Sequence, residues 1–168
     1  GLELPQPQQN LLDSLADCGK PVILVLLSGS ALIPYPVGKN PPAAVLQAFY
    51  PGAMGGLALA RIIFGDFSPC GCLPVTFYKS TTDLPPMADY AMQERTYRYF
   101  TKEPLYRFGH GLSYTSFAHN GLDVRRLADG ADKVSTIISN TGKTASHRIL
   151  QLYLKTPGFD RNQPPEQL

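Results

Sequence analysis

The sequence predicts an α/β fold, an open layered sheet with flanking helices, followed by a truncated β-sandwich. Three observations predict it. The run PVILVLL lacks polar alternation, which suits a parallel strand covered on both faces. Glycines stand where strands hand over to helices, giving the order α-β-β-α-β up to about Phe77. After Leu112, three runs alternate apolar with polar residues, as half-buried antiparallel strands do.

In chain order, Leu4 to Ala16 reads as a helix with Leu11, Leu12 and Leu15 on one face, Pro5 near its start and Gly19 as its stop. Glu3 and Asp13 lie at or in it, where acids near an N-terminus interact favourably with the helix dipole. The strand PVILVLL comes next, then a loop rich in Pro, Tyr and Gly, and AVLQAFY as a second strand. The turn PGAMGG leads into the helix LALARIIFG, ending at Gly65, and LPVTFY is expected as a further strand. In the second part LDVRRL, KVSTIISNTG and HRILQLYLK are the expected strands, with Asn140-Thr141-Gly142 as a turn signal between the last two. A complete sandwich needs about seven strands. About three precede the polar tail RNQPPEQL, hence the expected truncation.

Composition narrows the function. With 43% hydrophobic and 17% charged residues among 168, the chain has enough apolar material for a core. Its net charge of +2 comes without clustered Lys and Arg, which argues against a nucleic-acid partner. The apolar run PVILVLLSGSALI is broken at Ser28, Gly29 and Ser30, short of the ~20 residues a membrane span requires. The polar, Pro-rich start Gly1 to Gln9 says nothing about export. Cys18, Cys70 and Cys72 make no disulfide framework, and Cys70 and Cys72 lack further ligands at metal-binding spacing. His110, His119 and His147 have no nucleophile or second ligand at a suitable spacing. Gly55-Gly56 belongs to no phosphate-binding motif. No metal and no cofactor is expected.

The stretch RTYRYFTKEPLYRFGHGLSYTSF, Arg95 to Phe117, crowds rings, arginines and glycines into a segment with neither strand nor helix periodicity. Tyr and Phe supply large contact area with few rotatable bonds, so packing between elements is one reading. Rings and arginines also hold sugars, through ring faces against C–H surfaces and donors aimed at hydroxyls. Both readings stay open for Arg95, Tyr97, Arg98 and Tyr99, whereas packing is expected for Tyr106, Phe108, Tyr114 and Phe117.

The succession LPQPQQNLL, KPVILVLLSGS, YPGAMGG, IIFGDFSPCGCLPVTF, RTYRYF, PLYRFGHGLSYTSF, ISNTG and HRILQLYL resembles the C-terminal part of glycoside hydrolase family 3, the β-glucosidases and β-xylosidases. RTYRYF after DYAMQE resembles the β-xylosidase-like branch. The resemblance implies that residues 1–94 are part of an α/β sandwich domain. It makes 95–117 an aromatic inter-domain connection, and 118–168 the N-terminal part of a fibronectin III-like β-sandwich, truncated. It also implies a secreted or periplasmic parent acting on β-linked xylosides or glucosides, with an N-terminal barrel domain missing from this chain.

Retaining hydrolysis needs two carboxyl groups about 5 to 5.5 Å apart. In the resembled family the nucleophile is an aspartate on the barrel, and the acid/base is commonly a glutamate upstream of the opening motif, so no catalytic residue is expected here. Glu94, Arg95 and Tyr97 are the substrate-proximal candidates. Glu94 is the one carboxylate with aromatic and cationic neighbours, yet arginines lower a carboxyl pKa, opposite to what a proton donor needs. The sequence departs from the pattern at Glu94, where related sequences often carry Gly. It departs again at Ala53 and Met54 in the P-G turn, and at Cys70 and Cys72, where Ser and Arg are frequent. The expected function is a hydrolase fragment, inactive alone, that supplies scaffold and a wall of the sugar pocket. The alternatives are a non-catalytic carbohydrate-binding or interaction module and an incomplete product.

Overall fold

The computed structural model describes residues 1–35 and 41–155; residues 36–40 of the Pro-, Tyr- and Gly-containing loop, and 156–168 with the tail RNQPPEQL, lie outside the described residues. The chain forms two compact units. The first comprises Gly1–Leu59, Cys72–His110 and the residues from Gln151, and the second Ala60–Gly71 and Gly111–Leu150.

In the first unit, α1 (Gln6–Ala16) follows Pro5, whose carbonyl accepts the Gln8 and Gln9 N–H groups. Gly19, at φ +67°, turns the chain after it. Leu11 and Leu15 remain 59% and 38% exposed, so the expected apolar face is only partly covered. Glu3 lies before α1 rather than in its first turn. It bridges to Ile33, and its carboxylate accepts the Thr81 hydroxyl at 3.0 Å. β1 (Ile23–Leu26) and β2 (Ala44–Gln47) pair in parallel from Ile23 opposite Ala44 to Leu26 opposite Gln47. The parallel pairing follows the sequence expectation. The covering of both faces does not: only Leu26 is buried, and Ile23 is 47% exposed. Two strands alone make too narrow a sheet to bury both faces.

LPVTFY forms no strand, contrary to expectation. Phe77 makes a single antiparallel bridge to Tyr106, flanked by bonds from Leu73 N–H to the His110 carbonyl and from Gly109 N–H to the Leu73 carbonyl. Pro74 has no N–H to donate, so no continuous ladder runs through it. Among the described residues of this unit, the buried apolar side chains are Leu4, Leu26, Ile33, Pro34 and Phe77.

The helix α2 (Gly55–Ile63) places its last turn in the second unit. Gly65, at φ +83°, ends it by donating to the Ile62 carbonyl, and Tyr114 Oη donates to the same carbonyl at 2.8 Å. Buried Ser68 accepts the Tyr114 N–H at 3.0 Å and lies 3.0 Å from the Ser113 hydroxyl. β3 (Phe117–Arg126) and β4 (Asp132–Asn140) form an antiparallel hairpin. Phe117, Val124, Val134 and Ile138 share one face by register, and Val134 and Ile138 are the half-buried residues of β4. The third expected strand, HRILQLYLK, is not formed. From Gln151 the chain belongs to the first unit, where Tyr153 meets the Tyr97 ring edge-on at 6.1 Å.

Candidate functional site

The three candidate residues are near neighbours in the first unit: Glu94 and Arg95 end the loop that runs from residue 86, and Tyr97 lies in the single-turn helix α3 (Thr96–Tyr99) that follows. Arg95 is its centre. Its guanidinium donates to three backbone carbonyls, those of Asp89 at 2.8 Å, Pro86 at 3.0 Å and Ala91 at 3.3 Å. The Asp89 carboxylate accepts the Ala91 N–H at 2.9 Å, and Arg95 N–H closes onto the Met92 carbonyl. The chain is thus wrapped around one cation with its carbonyls facing inward. Met87 and Tyr90 stand 88% and 92% exposed on the same loop.

Either side of Arg95 the backbone is strained. Glu94 and Thr96 both sit at φ +55°, a left-handed region that a β-branched residue such as Thr rarely enters. Local bonds hold it there. The Glu94 carboxylate accepts the Thr101 hydroxyl at 2.6 Å and the Thr101 N–H at 3.2 Å, and Thr96 N–H donates to Tyr78 Oη at 2.9 Å. The Thr101 hydroxyl is the main cause that holds the Glu94 carboxyl below its ordinary value. That environment favours the ionised form, which can accept a proton bond but has no proton to donate at neutral pH.

Tyr97 lies in an aromatic cluster. Its ring stacks on Phe108 at 4.4 Å with 17° between planes and meets Tyr153 edge-on, while its hydroxyl accepts Arg98 Nε at 3.1 Å. Next to it Tyr78 meets Phe100 edge-on at 4.9 Å. Tyr106, Phe77 and Tyr35 form a second group: Tyr106 lies edge-on to Phe77, stacks on His110 and shares a 2.9 Å hydroxyl contact with Tyr35. Burial, with the Tyr35 hydroxyl, pushes the Tyr106 phenol up to about 12. Sequence reasoning identified the rings but missed the partners Tyr35, Tyr78 and Thr101. No local signal carries such contacts, because each partner is brought in by tertiary folding or by the reversal after α3.

Elsewhere, Cys18 is exposed, and Cys70 and Cys72 are half-buried free thiols. Among the described residues no three His, Cys, Asp or Glu side chains gather as metal ligands. None of the helices formed by the described residues is long and apolar enough to cross a membrane.

Comparison with known proteins gives a consistent set of likenesses. The profile of the glycosyl hydrolase family 3 C-terminal domain matches residues 1–114. A xylan 1,4-β-xylosidase of Xylanibacter ruminicola is 44% identical over 155 residues, covering 92% of this chain and 18% of that protein. A periplasmic β-glucosidase of Salmonella typhimurium is 32% identical over 182 residues, covering 99% of this chain and 24% of that protein. Among solved structures, the β-glucosidase DesR of Streptomyces venezuelae, in complex with D-glucose, superposes with a TM-score of 0.82 at 32% identity. That match covers 99% of this chain and 23% of DesR. The chain therefore spans roughly a fifth to a quarter of the length of these relatives.

Proposed function

The chain belongs to glycosyl hydrolase family 3, and from that premise we propose that it is one stretch of a retaining β-glycosidase acting on β-linked xylosides or glucosides. The stretch supplies scaffold and, through Glu94, Arg95 and Tyr97, one wall of the sugar pocket; the two catalytic carboxylates belong to other parts of the parent. Residues 1–94 form part of the α/β sandwich domain, 95–117 the aromatic connection and 118–168 the start of a fibronectin III-like sandwich, of which residues 118–150 fall in the second compact unit and those from Gln151 in the first. The antiparallel β3–β4 hairpin, with Phe117, Val124, Val134 and Ile138 on one face, supports this last assignment. Likeness to a periplasmic β-glucosidase supports a parent that leaves the cytoplasm.

One observation carries the reading of the wall. Arg95 spends its guanidinium on three carbonyls, which fixes a loop that nevertheless displays Tyr90 and Met87 to solvent. A fixed loop with an exposed ring and an exposed thioether suits ligand contact, because little ordering entropy remains to be lost on binding. Glu94, whose carboxyl the Thr101 hydroxyl keeps below its ordinary value, serves as an acceptor for sugar hydroxyls or as a brace, and not as the proton donor.

Two measurements test the reading. The purified 168-residue chain is expected to hydrolyse neither aryl β-xyloside nor aryl β-glucoside above the buffer rate; turnover would refute the placement of the carboxylates. In the complete protein, Tyr97→Ala is expected to weaken sugar affinity together with thermal stability. A fall in stability with unchanged affinity would reduce the loop to scaffold alone.

A further inference from the structure

The β3–β4 hairpin carries the sequence's sole Asn-Gly pair, Asn120-Gly121. Asn120 pairs with Ile137, but the next paired residue of β3 is Asp123, opposite Ser135. Gly121 and Leu122 therefore face the single residue Thr136, and the ladder is interrupted there by a bulge. Gly121 adopts φ +62°, and no heavy atom lies within 4 Å of the place a Cβ would take. The bulge needs a glycine at that point. Asn120 is exposed; its backbone carbonyl accepts the Thr136 hydroxyl at 3.3 Å, and its carboxamide makes no hydrogen bond among the described residues.

Asn140, in the same hairpin, is the opposite case. Its Oδ1 accepts the Thr115 hydroxyl at 2.6 Å and the Gly142 N–H at 3.0 Å, its Nδ2 donates to the Thr144 carbonyl at 2.9 Å, and β-branched Thr141 follows it.

We propose that Asn120 is a site of spontaneous deamidation, a covalent modification built into the bulge. The Gly121 backbone nitrogen attacks Asn120 Cγ. A nitrogen–carbon bond forms, the carboxamide nitrogen leaves as ammonia with the proton the backbone amide gives up, and a five-membered succinimide remains. Water then opens the ring at either carbonyl, giving aspartate or isoaspartate. The net change is one water consumed and one ammonia released, with no oxidant or reductant. Glycine permits the attack because no Cβ screens its nitrogen, and the interrupted ladder leaves the local backbone less constrained than a paired strand. The product adds a negative charge close in sequence to Asp123, which already pairs with Arg125 at 2.7 Å. Isoaspartate also inserts a methylene into the backbone at the position that pairs with Ile137.

The experiment holds the 168-residue chain in mildly alkaline buffer at physiological temperature, with a parallel sample in urea. It follows each asparagine by peptide mass mapping and by labelling with an isoaspartate methyltransferase. In native buffer the Asn120 peptide is expected to exchange ammonia for water at least an order of magnitude faster than the Asn140 peptide of the same molecules. Its rate should lie within an order of magnitude of the rate in urea. Asn120→Gln is expected to remove the label, since its longer side chain closes a six-membered ring far more slowly. If Asn120 keeps its amide as long as Asn140 does in native buffer, whatever happens in urea, the proposal is overturned.

Discussion

Thr96 and Glu94 sit at the same left-handed φ on either side of Arg95, and the two differ in what they gain from it. Glu94 gains two bonds to Thr101, whereas Thr96 pairs its N–H with Tyr78 and receives only a 3.3 Å bond from Arg98 N–H to its hydroxyl. Thr96→Gly is therefore expected to stabilise the chain by roughly 0.5–1 kcal/mol, read as a higher urea midpoint at unchanged slope. Thr101→Val removes the shorter of the two donors to Glu94 and is expected to cost less than about 1 kcal/mol, because the bond is solvent-exposed. The same pair sets a pH dependence. The Glu94 pKa is lower in the folded chain than in the unfolded one, so its stabilisation is complete above the unfolded value and is lost as pH falls through the folded value. Acid titration of stability should accordingly show a smaller loss for Thr101→Val than for the parent sequence, and equal losses would contradict the assignment. None of this strain was legible in the sequence, where Glu94 stood out only by its neighbours.

At the level of elements, signals that act within a few residues were readable. Gly65 stops α2 because its left-handed φ is open to glycine and costly to residues with a Cβ. Gly65→Ala is expected to lower stability by about 1–2 kcal/mol. Tyr114→Phe, which takes away the second donor to the Ile62 carbonyl, is expected to cost about 1 kcal/mol or less because that bond is solvent-exposed. Thermal or urea unfolding of both variants checks the order. β1 emerged where an unbroken apolar run placed it, β2 within AVLQAFY, and the hairpin where alternation placed it. LPVTFY and HRILQLYLK formed no strand. Pro74 removes a donor that a ladder needs, and Tyr153 finds a ring partner in the first unit.

For the whole molecule, family membership and the absence of turnover expected of the 168 residues belong together. The matched relatives are four to five times longer, and a retaining pair of carboxylates need not lie within any one stretch. Among the described residues, Leu122, Val124 and Ile137 on the hairpin, and Ile149, Leu150 and Leu152 after it, are exposed apolar side chains. By itself the sequence determined the family, the mixed α/β character and the positions of helix stops and hairpin, because motif order, apolar periodicity and glycine placement are written residue by residue. Tertiary structure alone decided that Arg95 would be spent on carbonyls, that Thr101 would donate to the Glu94 carboxylate and that Tyr97 would meet the rings of Phe108 and Tyr153. A side chain's partner depends on which atoms folding brings within a few ångströms, and no spacing along the chain encodes that distance.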